Sequence, residues 1–150
     1  MRESMATRKL EGRIALITGA SRGIGLAIAR GFAAEGAAIA VTARSEAELQ
    51  SLAAEVEQAG GRALAIPADL SDAAAPARVV KQVLDHFRTI DILVNNAGLG
   101  SSSRPMPVVD FDDGFWNLTV ALNLTAPYLF TKAVLPVLLA KQWGRIITIA

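Results

Sequence analysis

Gly19, Gly23 and Gly25, in the run Thr18-Gly19-Ala20-Ser21-Arg22-Gly23-Ile24-Gly25, have the types and spacing to do chemistry. An apolar run, Ile14-Ala15-Leu16-Ile17, precedes them, and a helical pattern, Leu26-Ala27-Ile28-Ala29-Arg30, follows. Strand, glycine turn and helix in that order aim backbone N–H groups and the positive end of a helix at an anion, as in dinucleotide phosphate sites. Glycines permit the sharp turn and let a pyrophosphate approach the backbone, since no Cβ intervenes. The spacing is G-x-x-x-G-x-G, which differs from the commoner G-x-G-x-x-G. A P-loop would need Gly-Lys-Ser/Thr, and no lysine lies between Lys9 and Lys81.

A second candidate is Arg44, in Val41-Thr42-Ala43-Arg44 at the end of the second apolar run. A methyltransferase-like site would want an acidic residue there, and an NAD site usually places Asp or Glu on the ribose 2′-hydroxyl. Arg44 instead offers a charge-assisted bond to a 2′-phosphate, and Arg22 can supply a second guanidinium, so NADP(H) is favoured over NAD(H). The competing reading of either arginine is a solvated surface charge. Glu46 falls in the first turn of the next helix, where a carboxylate suits the macrodipole. Asp69 and Leu70 follow the third apolar run, and Asp69 also reads as a cap for the next helix. Asn95, Asn96, Ala97 and Gly98 end the fourth run. Asn123, between Leu122 and Leu124, is costly in a buried helix unless partnered; near Pro127 it also reads as a hydrogen-bonded kink residue.

Alternating strands and helices must position these residues. Strands are expected at 13–18, 38–42, 63–66, 91–95 and 145–150. Helices are expected at 23–35, closed by Gly36; at 45–59, capped by Ser45 and stopped by Gly60-Gly61; and from Ser71 or Asp72 to 88, with an apolar face of Val79, Val80, Val83, Leu84 and Phe87. A loop at 98–107 leads to a long helix at 111–140, kinked or interrupted at Pro127 and Pro136. Such alternation implies an α/β, Rossmann-like doubly wound parallel sheet with right-handed crossovers. Residues 1–9 read as a flexible N-terminus and 10–150 as one dinucleotide-binding domain.

Composition agrees with a buried α/β core: of 150 residues, 52% are hydrophobic and 19% charged. Fifteen basic residues against fourteen acidic ones give no footprint for nucleic acid or an anionic membrane. With no cysteine there is no disulfide framework or thiolate metal site. No apolar run is expected to reach a spanning length, the N-terminus lacks a signal-peptide core, and a cytoplasmic location is the default expectation.

Thr18-Gly19-x-x-x-Gly23-x-Gly25 together with Asn95-Asn96-Ala97-Gly98 resembles the short-chain dehydrogenases/reductases. The lead-in Leu10-Glu11-Gly12-Arg13 and the segment Asp91-Ile92-Leu93-Val94 look like that family too, from about Leu10 onward. The resemblance implies strand order 3-2-1-4-5 and a cofactor site of Gly19, Ala20, Ser21, Arg22, Gly23, Ile24, Gly25, Arg44, Asp69, Leu70, Asn95, Ala97 and Gly98. It places Asp69 at the adenine ring and Asn95 in shaping the cleft. Asn123 matches the catalytic asparagine, whose backbone carbonyl holds a water of a proton relay. Tyr128 and Lys132 fit Tyr-x-x-x-Lys on one helix face, but the family's pair follows strand five, so packing is the expected role. His86, the only histidine, has no partner motif and reads as a surface residue.

The last residues resemble the family's Ile-x-Ile-Ser/Ala-Ser segment, so its catalytic Ser, its Tyr-x-x-x-Lys and two further strands are expected beyond residue 150. The implied activity is hydride transfer between nicotinamide and a ketone or secondary alcohol, of the 3-oxoacyl-acyl-carrier-protein reductase kind, in a homodimer or homotetramer. No turnover is expected from these 150 residues alone, and strand five is expected as an aggregation-prone edge. The rival reading is a non-catalytic dinucleotide-binding module. Ser101-Ser102-Ser103 is too generic to assign.

Overall fold

The structure, a computed structural model, describes residues 8–100 and 105–150; the serine run and residues 1–7 lie outside them. Five parallel strands, β1 (Ile14–Thr18), β2 (Ala38–Ala43), β3 (Ala63–Pro67), β4 (Ile92–Asn95) and β5 (Arg145–Thr148), form one sheet in the order β3-β2-β1-β4-β5. The helices are α1 (Gly23–Ala34), α2 (Glu46–Gln58), α3 (Ala75–Phe87), α4 (Asp113–Val120) and α5 (Ala126–Ala140). The strand order reverses between β1 and β4, which opens a crevice outside their carboxyl ends.

Both faces of the central strands are covered, which is why they read as continuous apolar runs. Leu16 and Leu93 pack with Val79, Val83, Phe130 and Val134 from α3 and α5. Ala15, Ile17, Ile39 and Val41 face the other way, onto Leu49, Leu52 and Val56 of α2. Each fully buried Leu, Ile or Val is worth about 1.5–3 kcal/mol of removal from water. Asp91 clamps the opposite end of the sheet: its carboxylate accepts from the Ile14 N–H at 2.8 Å and from Lys141 Nζ at 2.6 Å. Lys141 also donates to the carbonyl of Ile90, so the α5–β5 connection is fastened to β1 and β4.

Several boundaries differ from expectation. Helix α3 begins at Ala75 because Asp69 and Asp72 hold local turns, accepting from the backbone N–H groups of Ser71 and Ala74. Ser45 occupies the N-cap of α2 without a side-chain cap bond, while Glu46 and Glu48 face the positive helix end. The long helix starts at Asp113, capped by Asp112 Oδ1 accepting from the Phe115 N–H, and is broken by a π turn over Ala121–Thr125. Pro127 follows that turn; it has no N–H to return to the carbonyl four residues earlier, and the wider turn accommodates the loss. Pro136 lies inside α5 without ending it.

The stretch Asp113–Ala140, by length and composition alone, is long and apolar enough to cross a membrane. That corrects the expectation that no apolar segment reaches such a length. One side of α5, through Ala126, Phe130, Val134 and Leu138, is buried in the core.

Candidate functional site: the cleft at the switch point

Thr18, the last residue of β1, ties the two halves of the cleft together. Its Oγ1 accepts from the backbone N–H groups of Asn96 and Ala97, both at 3.0 Å, and donates to the Val94 carbonyl at 3.3 Å. Asn96 answers through Nδ2, which donates to the carbonyls of Thr18 and Gly19 at 3.0 and 3.1 Å. The glycine turn and the segment after β4 are therefore bonded to each other directly.

That closeness explains the glycines. Gly19 has φ of +66°, and a Cβ there would sit 2.8 Å from the Ala97 Cα. A Cβ on Gly25 would run into the Gly19 carbonyl and the Asn96 amide. Gly23 has φ of +58° and opens α1. Helix α1 has neither a side-chain cap bond nor an acidic residue in its first turn, so among the described residues its positive end has no carboxylate of its own helix to offset it.

A cleft of about 510 Å³ lies over this turn. Of the residues singled out in the sequence, Gly19, Ser21, Arg22, Ile24, Arg44, Asp69, Leu70, Ala97 and Gly98 line it. Ala20, Gly23, Gly25 and Asn95 do not. Ala20 is buried, Gly25 packs α1 against the turn, and Asn95 is buried with Nδ2 3.4 Å from Thr131 Oγ1. Arg22 and Arg44 are exposed at the cleft. The Asp69 carboxyl is held below the usual carboxylate range, chiefly by Ser71 through hydroxyl and backbone N–H bonds, with the nearby Arg44 charge adding to the effect.

Asn123 lies in the π turn, exposed, beside the cleft rather than in its lining. Its side chain grips one residue of the facing loop at both ends. Oδ1 accepts from the Leu99 N–H and Nδ2 donates to the Leu99 carbonyl, each at 2.8 Å. Leu99, Leu118 and Leu122 supply an apolar wall. Gly98 allows the approach, since a Cβ there would be 2.7 Å from Asn123 Oδ1. Pro127 cannot donate to the Asn123 carbonyl, so the turn supplies that residue with both a clamp and an unusual backbone environment.

Tyr128 is 60% exposed and absent from the cleft lining, with Lys132 Nζ 5.8 Å from its ring centre. His86 is exposed and stacks edge-on against Phe87. Sequence reading missed Thr18 and the Asn96 side chain as the bonds closing the cleft. Threonine at a strand end directly before the first glycine was the available signal.

Residues 13–150 match the family model of the short chain dehydrogenases. The chain belongs to that family. A short-chain oxidoreductase of metagenomic origin, solved in complex with NADP, superposes with a TM-score of 0.88 at 40% identity, over 94% of this chain and 63% of its own. The 3-oxoacyl-[acyl-carrier-protein] reductase FabG of Escherichia coli is 40% identical over 93% of this chain and 54% of its own length. The short chain dehydrogenase/reductase dpmpG of Macrophomina phaseolina is 37% identical over 98% of this chain and 85% of its own. The chain spans about half the length of most of the curated relatives it matches.

Proposed function

We propose that this short-chain dehydrogenase segment holds NADP(H) for hydride transfer to a ketone or from a secondary alcohol. The observation that carries the reading is the cleft's donor set: an uncapped helix N-terminus over the glycine turn, with Arg22 and Arg44 beside it and no carboxylate at the end of β2. The residues fit the cofactor on their own chemistry. Gly19 and Gly25 keep Cβ atoms out of the phosphate approach, and two guanidiniums suit a 2′-phosphate that a carboxylate would repel. A bound nicotinamide dinucleotide supplies or accepts the hydride.

The chain's own residues bind and orient. Backbone N–H groups of the turn and α1 would receive the pyrophosphate, and Arg44 with Arg22 the 2′-phosphate. Asp69 and Leu70 would flank the adenine, with the Asp69 carboxylate kept ionised and aimed by Ser71. Ala97 and Gly98 would lie along the ribose. Asn123 would fix the loop through Leu99 and offer its backbone carbonyl to a water of the proton relay.

The sequence contains one tyrosine, Tyr128, which is exposed and does not line the cleft. These 150 residues would therefore bind the cofactor with no tyrosine in the cleft lining to act as general acid, and a 3-oxoacyl thioester or a similar ketone is the substrate class proposed for the whole protein. The whole protein acts as a homodimer or homotetramer. Purified 1–150, incubated with NADPH and a panel of ketones, is expected to quench NADPH fluorescence on binding without steady oxidation. Turnover abolished by Tyr128→Phe would refute the assignment.

A further inference from the structure

Three neighbouring strands carry the polar groups of the cleft: the glycine turn follows β1, Arg44 follows β2, and Asp69, Leu70 and Ser71 follow β3 at the sheet's edge. On the dinucleotide reading, the pyrophosphate falls at the turn and the 2′-phosphate at Arg44, which leaves the base to the β3 side. The Ala68 N–H donates to the Ala43 carbonyl at 2.9 Å, so the chain ends that carry Arg44 and Asp69 are held side by side.

Asp69 is the only carboxylate in the cleft lining among the described residues, and its two oxygens are in different states. Oδ1 accepts from the Ser71 hydroxyl at 2.7 Å and from the Ser71 N–H at 3.0 Å. Oδ2 receives no donor from the described residues. Exchanging the two oxygens would break both bonds of this local turn. The turn is itself braced, since the Asp72 N–H donates to the Asp69 carbonyl at 3.2 Å and Arg78 holds the Asp72 carboxylate at 2.7 Å. An ionised carboxylate oxygen accepts and never donates, so it separates a base edge that presents N–H from one that presents a carbonyl. A site built this way discriminates strongly, because two facing acceptors are both left unpaired.

Resting on the reading of this cleft as a dinucleotide site, we propose that Ser71 is a positioning residue for base selection. By occupying Oδ1 of Asp69 it leaves Oδ2 to accept from the 6-amino group of adenine, and the cleft rejects a cofactor whose base carries a carbonyl there. Ser71 acts through Asp69 and needs no contact with the base itself.

NADPH and its hypoxanthine analogue, which has a carbonyl in place of the 6-amino group, are titrated calorimetrically into the 150-residue chain and three variants, Ser71→Ala, Ser71→Thr and Asp69→Asn. The wild type is expected to bind NADPH roughly tenfold more tightly than the analogue. Ser71→Ala keeps the backbone bond but loses the hydroxyl. The ratio is expected to fall to roughly threefold through weaker NADPH binding alone, and Ser71→Thr is expected to restore it. In Asp69→Asn the amide oxygen can keep the Ser71 bonds while the NH₂ takes the place of Oδ2, so the preference is expected to invert. Equal affinities in the wild type, or an unchanged ratio in Ser71→Ala, would overturn the proposal and leave the dinucleotide site standing. Equal weakening of both nucleotides in Ser71→Ala would show a merely structural turn and also overturns it. Failure of either nucleotide to bind the wild type would overturn this inference and the dinucleotide reading together.

Discussion

Replacing Thr18 with valine tests the way the cleft is built. Valine keeps the shape of threonine but removes the hydroxyl that is 2% exposed in sum with its residue and accepts two backbone N–H bonds at 3.0 Å. The N–H groups of Asn96 and Ala97 would both lose their acceptor, and the Val94 carbonyl would lose a donor. At about 1–2 kcal/mol for each stranded N–H, the expected loss is about 2–4 kcal/mol. For a domain of this size that corresponds to a fall in melting temperature of roughly 5–15 °C. Thr18→Ser keeps the hydroxyl and gives up one methyl group, for a loss of about 1 kcal/mol. Urea unfolding of the three proteins measures the differences, and NADPH affinity is expected to weaken in the valine variant only. A valine variant within about 0.5 kcal/mol of wild type, or a serine variant equally damaged, would refute the hub.

Asn123→Ala removes both bonds to Leu99, and hydrogen exchange at the Leu99 amide is expected to accelerate; Asn123→Asp, which can accept but not donate, should retain part of the protection. Unchanged exchange in the alanine variant would show that the loop is held by something else. Asp69 and Asp72 both titrate below their usual 3.8 in the folded chain, so their contribution to stability is fully present above that value and drains away as pH falls through the lower folded values. Asp69→Asn is expected to flatten the acid limb of a stability–pH curve, and an unaltered limb would count against the Ser71 contact. Ile147, 39% exposed on the outermost strand β5, belongs to a run that pairs readily with other strands. Ile147→Lys is expected to reduce self-association of 1–150 in sedimentation velocity, and identical profiles would locate the association elsewhere.

The parallel sheet and the glycine turn were legible because they depend on local pattern: apolar runs of strand length, glycines at fixed spacing, and the alternation that forces right-handed crossovers; the strand order came from the family resemblance. What could not be read depends on contacts across the chain. Thr18 meets Asn96 and Ala97 some 78 and 79 positions away, so its place at a strand end before the first glycine hints at a role without naming its partners. Asn95 and Asn96 are adjacent and chemically identical, yet the strand pleat sends the first into the core and lets the second bond to the glycine turn. The start of α3 moved from Ser71 or Asp72 to Ala75 because the acidic side chains closed local turns instead of capping the helix. Pro127 signalled an irregularity, but a π turn and a kink cost the same in sequence.

Calorimetric titration of NADPH and NADH into the 150-residue chain and its Arg44→Ala variant tests the central claim most directly. NADPH is expected to bind the wild type at least about tenfold more tightly than NADH, in line with one charge-assisted contact, and that advantage is expected to shrink sharply in Arg44→Ala while NADH affinity stays the same. Equal affinities in the wild type, or an NADPH preference that survives loss of Arg44, would contradict it.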